Sequence, residues 1–138
     1  MSLKIFIDTN IFLDSYLERD EGSSRAVFEF LEMSDTKIYL NDISIINIAY
    51  IVRKKFSKNE LKEKINLIIN QYHIVPATQQ IIFDANNSDF KDFEDGVQYF
   101  CAKEVEADLI ITNNKKDFIS SEIEVLTAIE FALLYIDL

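Results

Sequence analysis

Three short polar stretches, each following or adjoining an apolar run, hold the residue types that could do chemistry. Asp8 follows Ile5, Phe6 and Ile7 directly and is itself followed by Thr9 and Asn10. Asp89, Asp92, Glu94 and Asp95 place four acids within seven residues, and Asp95 opens a helical pattern. After Leu109, Ile110 and Ile111 come Thr112, Asn113, Asn114, Lys115, Lys116, Asp117 and Phe118. Four neighbouring carboxylates repel one another, which calls for a compensating cation. A hard divalent ion, Mg²⁺ or Mn²⁺, held by carboxylate and amide oxygens and completed by water, meets that need. Each stretch also has a plainer use. Asp caps helices, acids suit helix N-termini, and Asn tolerates the left-handed turns between elements. Taken singly, the stretches leave both uses open.

The elements that would position these groups can be read from periodicity. Apolar segments at 3–8, 37–40, 72–75, 108–112 and 123–126 read as strands, with helical patterns between them. Ile43 to Val52 is nearly all apolar, too long for an ordinary strand, and begins after Asp42 as a candidate N-cap, which predicts a buried helix. Asn47 is its odd polar residue among Ile45, Ile46, Ile48 and Ala49, so it must find hydrogen-bond partners, either in a neighbouring loop or in a site. Ser57 with Glu60, and Thr127 with Glu130, have capping-box spacing. The first of these starts a helix with Leu61, Ile65 and Ile68 on one face. Val97, Phe100, Cys101 and Val105 mark an amphipathic helix over 95–106.

Strands joined by helical crossovers pair in parallel, and runs such as IFI and LIIT suit strands covered on both faces. In such sheets ligands bind beyond the carboxyl ends of the strands, where the strand order reverses. The polar residues after the first and fourth strands are therefore expected to face one another there.

Whole-chain properties narrow the function. The 138 residues suit one domain, 1–138, and only two glycines and one proline occur, with no tract that reads as a linker. No apolar run is long enough to span a membrane, and MSLKIFIDTN enters core-like sequence at once, so a cytoplasmic protein is expected. One cysteine and one histidine nearly exclude the usual zinc sites. Cys101 is expected to be a small buried side chain and His73 a packed core residue. A net charge of −10 opposes broad nucleic-acid binding, so any RNA contact needs a local cationic strip. Arg53, Lys54, Lys55, Lys58, Lys62 and Lys64, against only Glu60 and Glu63, form one, although the same run suits a solvated helix face. Phe131, Ala132, Leu133, Leu134, Tyr135 and Ile136 form an apolar tail that is either core or a contact with a second copy in a homodimer.

The order of these motifs resembles the PIN domain family, in the branch carrying a DFED segment. The matching pieces are IFIDTNIFLD at 5–14, SIINIAYIVRK at 44–54, DFEDGVQYFCAKEVEADLIITNNKKDF at 92–118 and VLTAIEFA at 125–132. The resemblance implies a three-layer α/β/α sandwich with a central parallel sheet, and a ribonuclease cleaving RNA phosphodiesters with Mg²⁺ or Mn²⁺. It also implies the toxin half of a toxin–antitoxin pair, with an antitoxin protein as partner. Asp8 and Asp95 match the family's first acid and the acid of the later helix. Asn47 and Asn114 stand where the family usually has two further acids. An amide oxygen can ligate a hard cation but brings no charge, so Asp92, Glu94 and Asp117 become substitutes. Asp117, about one turn past Asn114, ranks first among them.

The expected catalytic set is thus Asp8, Asn47, Asp95, Asn114 and Asp117, with Asp8, Asp92, Asp95 and Asp117 toward the metal. Arg53, Lys54 and Lys58 are expected to contact RNA, with Lys115 and Lys116 facing them from the other strand end. A PIN-like binding module with weakened catalysis is the alternative supported by the two asparagines. Phosphoryl-transfer domains with aspartate at a strand end fit poorly. A phosphatase of that type needs a second Asp where Asn10 stands, and a receiver needs an acidic pair at the first strand.

Overall fold

The computed structural model describes residues 3–136. Five parallel strands form one sheet: β1 (Lys4–Ile7), β2 (Lys37–Asn41), β3 (His73–Val75), β4 (Leu109–Ile111) and β5 (Glu124–Leu126). Their spatial order is β3-β2-β1-β4-β5, so the chain builds outward from β1 in one direction and then returns to β1's other side. The order reverses between β1 and β4, where Ile5, Phe6 and Ile7 pair with Leu109, Ile110 and Ile111. All six of these side chains are buried, because helices cover both faces of the sheet at its centre.

Alternation along the strands divides the core in two. Ile5, Ile7, Leu109 and Ile111 face a core shared with α1 (Thr9–Tyr16), α2 (Ser23–Glu32), α3 (Asp42–Val52), α4 (Lys58–Gln71) and α7 (Ala128–Phe131). Phe6 and Ile110 face the other core, shared with α5 (Gln79–Asn86) and α6 (Phe93–Glu104). This is the expected three-layer α/β/α sandwich. Ser57 and Glu60 form a reciprocal capping box at α4, as Thr127 and Glu130 do at α7. Cys101 is buried as expected, and Asn41 Nδ2 lies 3.2 Å from its sulfur. No helix among the described residues is long and apolar enough to cross a membrane.

Three local expectations are corrected, and the open one about the tail is resolved. The helix at 42–52 is not buried all round: Ser44, Ile48 and Val52 form its inner stripe, whereas Ile43, Ile46, Tyr50 and Ile51 are exposed. A helix laid on a sheet needs one apolar stripe, and the i, i+4, i+8 positions supply it. Its N-cap is Asn41, one residue before Asp42, with Oδ1 accepting the Ile43 N–H at 3.0 Å. His73 is exposed rather than packed, because β3 is an edge strand that buries only Val75. Its ring lies against Tyr39 at 5.0 Å. The tail is split: Phe131 and Ala132 are core, whereas Leu133, Leu134 and Tyr135 are exposed.

Candidate active site at the carboxyl edge of the sheet

Asp8 is the first residue beyond β1 and the N-cap of α1, so the capping use and the site use of this aspartate coincide. Its Oδ1 accepts the Thr9 N–H at 2.8 Å. Oδ2 accepts the Thr112 hydroxyl at 2.7 Å and the Asn10 amide at 3.0 Å. Thr112 lies just beyond β4, and Asn10 Oδ1 accepts the Asn113 N–H at 3.1 Å. The ends of β1 and β4 are therefore stitched together through the carboxylate itself. Thr9 and Ser44 share a hydrogen bond of 2.6 Å, and Gln98 of α6 donates to Ser44 at 3.1 Å. These buried contacts fix α1, α3 and α6 around one opening.

Asp95 enters from α6. Asp92 caps this helix, its Oδ1 accepting the Asp95 N–H at 2.9 Å, so one oxygen of Asp92 is already used. Gly96 lets α6 approach α5 closely: a Cβ there would meet Ala85 Cβ at 3.3 Å and Phe90 Cβ at 3.4 Å. A larger residue would shift the turn that carries Asp95.

Asp8, Thr9, Asn10, Leu13, Asn47, Ile51, Asp92, Glu94, Asp95 and Asn114 line a cavity of about 430 Å³. Asp8 and Asp95 are nearly enclosed, at 3% and 8% exposure. Burial pushes the Asp8 carboxyl up to about 6, with Glu94 and Asp92 adding repulsion, although hydrogen bonds from Thr112 and Thr9 oppose the rise. Burial likewise raises Asp95 to about 7, and the charges of Asp8, Asp92, Asp117 and Glu94 push the same way. Among the described residues no donor reaches the Asp95 carboxylate. Asp95 is thus an acidic group held in a negative cavity without a partner, surrounded by hard oxygen donors, and these groups fit a divalent cation.

The expected residues are not all placed alike. Asp8, Asn47, Asp92, Asp95 and Asn114 come together at the cavity, whereas Asp117 is not part of its wall. Phe118 anchors the 3₁₀ turn Lys115–Phe118 in the second core, and Asp117 acts on Asp95 through its charge. Glu94 is better placed than its rank in the sequence suggested. It lines the cavity, and its Oε1 accepts from Asn47 Nδ2 at 3.5 Å. Arg53, Lys54 and Lys58 are exposed, and so is Lys116. Lys115 is exposed too, with its ammonium 3.0 Å from Glu130 of the α7 capping box in a surface ion pair. The sequence placed Asn10 and Thr112 in the two polar turns expected to face one another, without an individual role for either. Their signal was a small polar residue immediately after each central buried strand.

Replacing the Thr112 hydroxyl with a methyl in Thr112→Val removes one of Asp8's two side-chain donors while nearly keeping shape. Loss of such an outer hydrogen bond is expected to weaken Mn²⁺ binding about 10- to 100-fold, measured by titration calorimetry.

Comparisons with known proteins agree with this fold. A family model described as PIN domain matches residues 4–116. Ribonuclease VapC1 of Aquifex aeolicus (strain VF5) is 32% identical over 136 residues, covering 94% of each chain. A chain of VapBC2 from Rickettsia felis, solved bound to a DNA fragment from its promoter, superposes with a TM-score of 0.67. It has 17% identity and covers 91% of this chain and 98% of its own. FitAcB from Neisseria gonorrhoeae superposes at 0.64, with 17% identity and coverage of 90% and 97%. Matched by that family model over most of its length, and by a relative 32% identical across 94% of each chain, this chain belongs to the PIN domain family.

Proposed function

We propose that the protein is a divalent-metal-dependent endoribonuclease and the toxin of a toxin–antitoxin pair. The observation that carries the reading is the Asp8–Asp95 pair, two enclosed carboxylates raised by burial and by neighbouring acidic charge at the point where the strand order reverses. The 32% identity to a ribonuclease supports the choice of RNA. A neighbour in fold, a toxin–antitoxin complex from Klebsiella pneumoniae, lends support to an antitoxin partner. A cytoplasmic location and one domain spanning 1–138 belong to the same reading. So does a homodimer, for which the exposed Leu133, Leu134 and Tyr135 offer apolar surface.

Asp8 and Asp95 would hold Mg²⁺ or Mn²⁺. Glu94 and the amide oxygens of Asn47 and Asn114 stand nearby, and Asp92 keeps one oxygen beyond its cap. When bound, the ion supplies acidification of a water and stabilisation of charge on the phosphoryl oxygens. The chain's own groups do the positioning: Asn10 and Thr112 fix Asp8, and Asn47 steadies Glu94. Among the described residues no three His, Cys, Asp or Glu side chains form a closed ligand set. Amide oxygens and water must therefore complete it, and this same observation favours the binding module as a second reading. Purified protein should cleave single-stranded RNA in Mn²⁺ and stop on chelation. Binding of RNA with no cleavage in millimolar Mn²⁺ or Mg²⁺ would establish the module instead.

Metal affinity also ranks the substitute acids. Glu94→Gln is expected to lower Mn²⁺ affinity more than Asp117→Asn, because only Glu94 reaches the cavity wall. Equal or reversed effects in a calorimetric titration would restore Asp117 to first place.

For RNA, the exposed run from Arg53 onward remains the proposed contact, in part. Lys55 is turned to the Tyr16 carbonyl, and Lys64 lies 4.6 Å from the Phe56 ring centroid. Arg53, Lys54 and Lys58 are left to meet phosphate, with Lys116 across the cavity. Replacing those first three with Ala should weaken RNA binding and flatten its dependence on salt, since released counterions supply that affinity. Mn²⁺ binding should be retained.

A further inference from the structure

We propose that Gln98 is a positioning residue, setting the rotation of α6 so that the Asp95 carboxylate is presented to the cavity opposite Asp8. The inference rests on the ribonuclease reading and adds to it the group that holds the unanchored acid in place. Asp8 is pinned at the carboxylate itself, by Thr9, Thr112 and Asn10. Asp95 has no such donor among the described residues, so its placing depends on how its helix is held. The Asp92 cap fixes the backbone of the first turn of α6, but not the orientation of the helix toward α1 and α3.

Gln98 lies one turn beyond Asp95, at 1% exposure, and among the described residues it is the one polar side chain in the set of largest fully buried ones. Its Nε2 donates to Ser44 Oγ at 3.1 Å, and that hydroxyl shares the 2.6 Å bond with Thr9 Oγ1. Each member of this buried node is close in sequence to a residue of the cavity wall. Thr9 follows Asp8, Ser44 lies three residues before Asn47 on α3, and Gln98 lies three after Asp95 on α6. Residues three apart are neighbours on one side of a helix, so the node adjoins the wall on all three elements.

Packing alone does not call for an amide at this place. Leu or Met would fill the space without the cost of desolvating a polar group. What the amide adds is direction. A hydrogen bond weakens steeply as it is bent, so the contact with Ser44 resists rotation of α6 about its axis. Gly96 secures the other side: it stands about 200° around the helix from Gln98, where a Cβ would press on Ala85 of α5. The effect is matched to the scale of a metal site. With side-chain ends about 6 Å from the helix axis, a turn of about 10° would carry the Asp95 carboxylate roughly 1 Å, whereas ligand constellations tolerate about 0.5 Å.

The test titrates the metal-free full chain with Mn²⁺ in a calorimeter. Gln98→Met nearly keeps the volume and removes the amide, and Ser44 keeps Thr9 as its partner. Its Mn²⁺ affinity should fall about 10-fold, the low end for groups acting behind a ligand. On single-stranded RNA its kcat should fall about 10²-fold, the loss typical of a misplaced reacting group, with KM little changed. Ser44→Ala should weaken Mn²⁺ binding as well, and the double variant should lose less than the product of the two single factors, because both changes remove the same bond. Cys101→Ala loosens α6 one turn further from the cavity, and it should lower Tm while leaving Mn²⁺ affinity unchanged. A Gln98→Met protein that melts lower in chelator yet binds Mn²⁺ like the parent assigns the amide to core packing and overturns the proposal, with the ribonuclease reading left standing. Losses that simply multiply in the double variant overturn it equally. A parent that binds no Mn²⁺ overturns the positioning role together with the metal-dependent reading.

Discussion

Asp8→Asn and Asp95→Asn should each reduce RNA cleavage by at least about 10²- to 10³-fold, the loss typical when a charge-stabilising group is removed from a preorganised site. The fold should survive, because the replacement is nearly isosteric and the backbone pairing of β1 with β4 stands beside the Asp8–Thr112 hydrogen bond. Stability in chelator gives the same substitutions a second, independent readout. Both carboxyls have folded values above the ordinary 3.8, about 6 for Asp8 and about 7 for Asp95, so folding takes up protons between those limits. Stability from this source is whole below pH 4 and is lost as the pH rises through 6 and 7. For Asp8 the linkage amounts to about 3 kcal/mol. Metal-free Asp8→Asn should therefore lack that part of the decline, gaining on the parent protein from pH 4 to pH 8 in urea unfolding. Parallel pH profiles for the two proteins would contradict the burial argument, and retained cleavage would contradict the site.

The second large effect is stabilisation by the cation. A ligand that binds only the folded chain contributes about 2.7 kcal/mol at 100 times its Kd, which for a domain of this size raises Tm by roughly 10 °C. Millimolar Mn²⁺ should produce a shift of this order at pH 8, and chelator should reverse it. The shift should shrink toward pH 5, where protons compete for Asp8 and Asp95. Because Asp95→Asn removes one ligand, its melting curve should move little with Mn²⁺. A parent protein whose melting is indifferent to both Mn²⁺ and chelator would leave the cavity without its proposed occupant.

Much of this arrangement is legible in the sequence, for reasons that can be named. The strands announce themselves as apolar runs because the central ones are covered on both faces, and Asp8 and Thr112 follow two of them without a break. Ser57–Glu60 and Thr127–Glu130 have local partners at fixed spacing, so both boxes could be placed from the chain alone. What depends on distant packing could not. Hydrophobicity in 43–52 did not reveal which side of α3 would face solvent, since Ile46 and Ile48 are the same residue type with opposite fates. His73 looked like core because the order that makes β3 an edge strand is a property of the whole sheet. Asp117 was favoured over Glu94 on helical spacing, yet its neighbour Phe118 settles in the second core and leaves it outside the wall. The ion pair of Lys115 with Glu130, fifteen residues later, likewise depends on packing that the chain alone does not show.

The hydrogen bond from Thr112 to Asp8 joins residues 104 positions apart, and it bears on when during synthesis the protein becomes able to act. Emerging from the ribosome, the chain presents β1, β2 and β3 long before the strand that pairs with β1's other edge. Domains tend to fold as units during synthesis, and pairings between remote segments come late. Until β4 and Thr112 have left the exit tunnel, Asp8 lacks its Thr112 donor, and Asp95 on α6 lacks the sheet edge that seats it. Messages broken upstream of codon 112 would thus yield fragments without a complete site. On the proposed reading, the acidic edge is complete only in chains that have passed codon 112, and a neutralising partner could recognise the whole site only from then on.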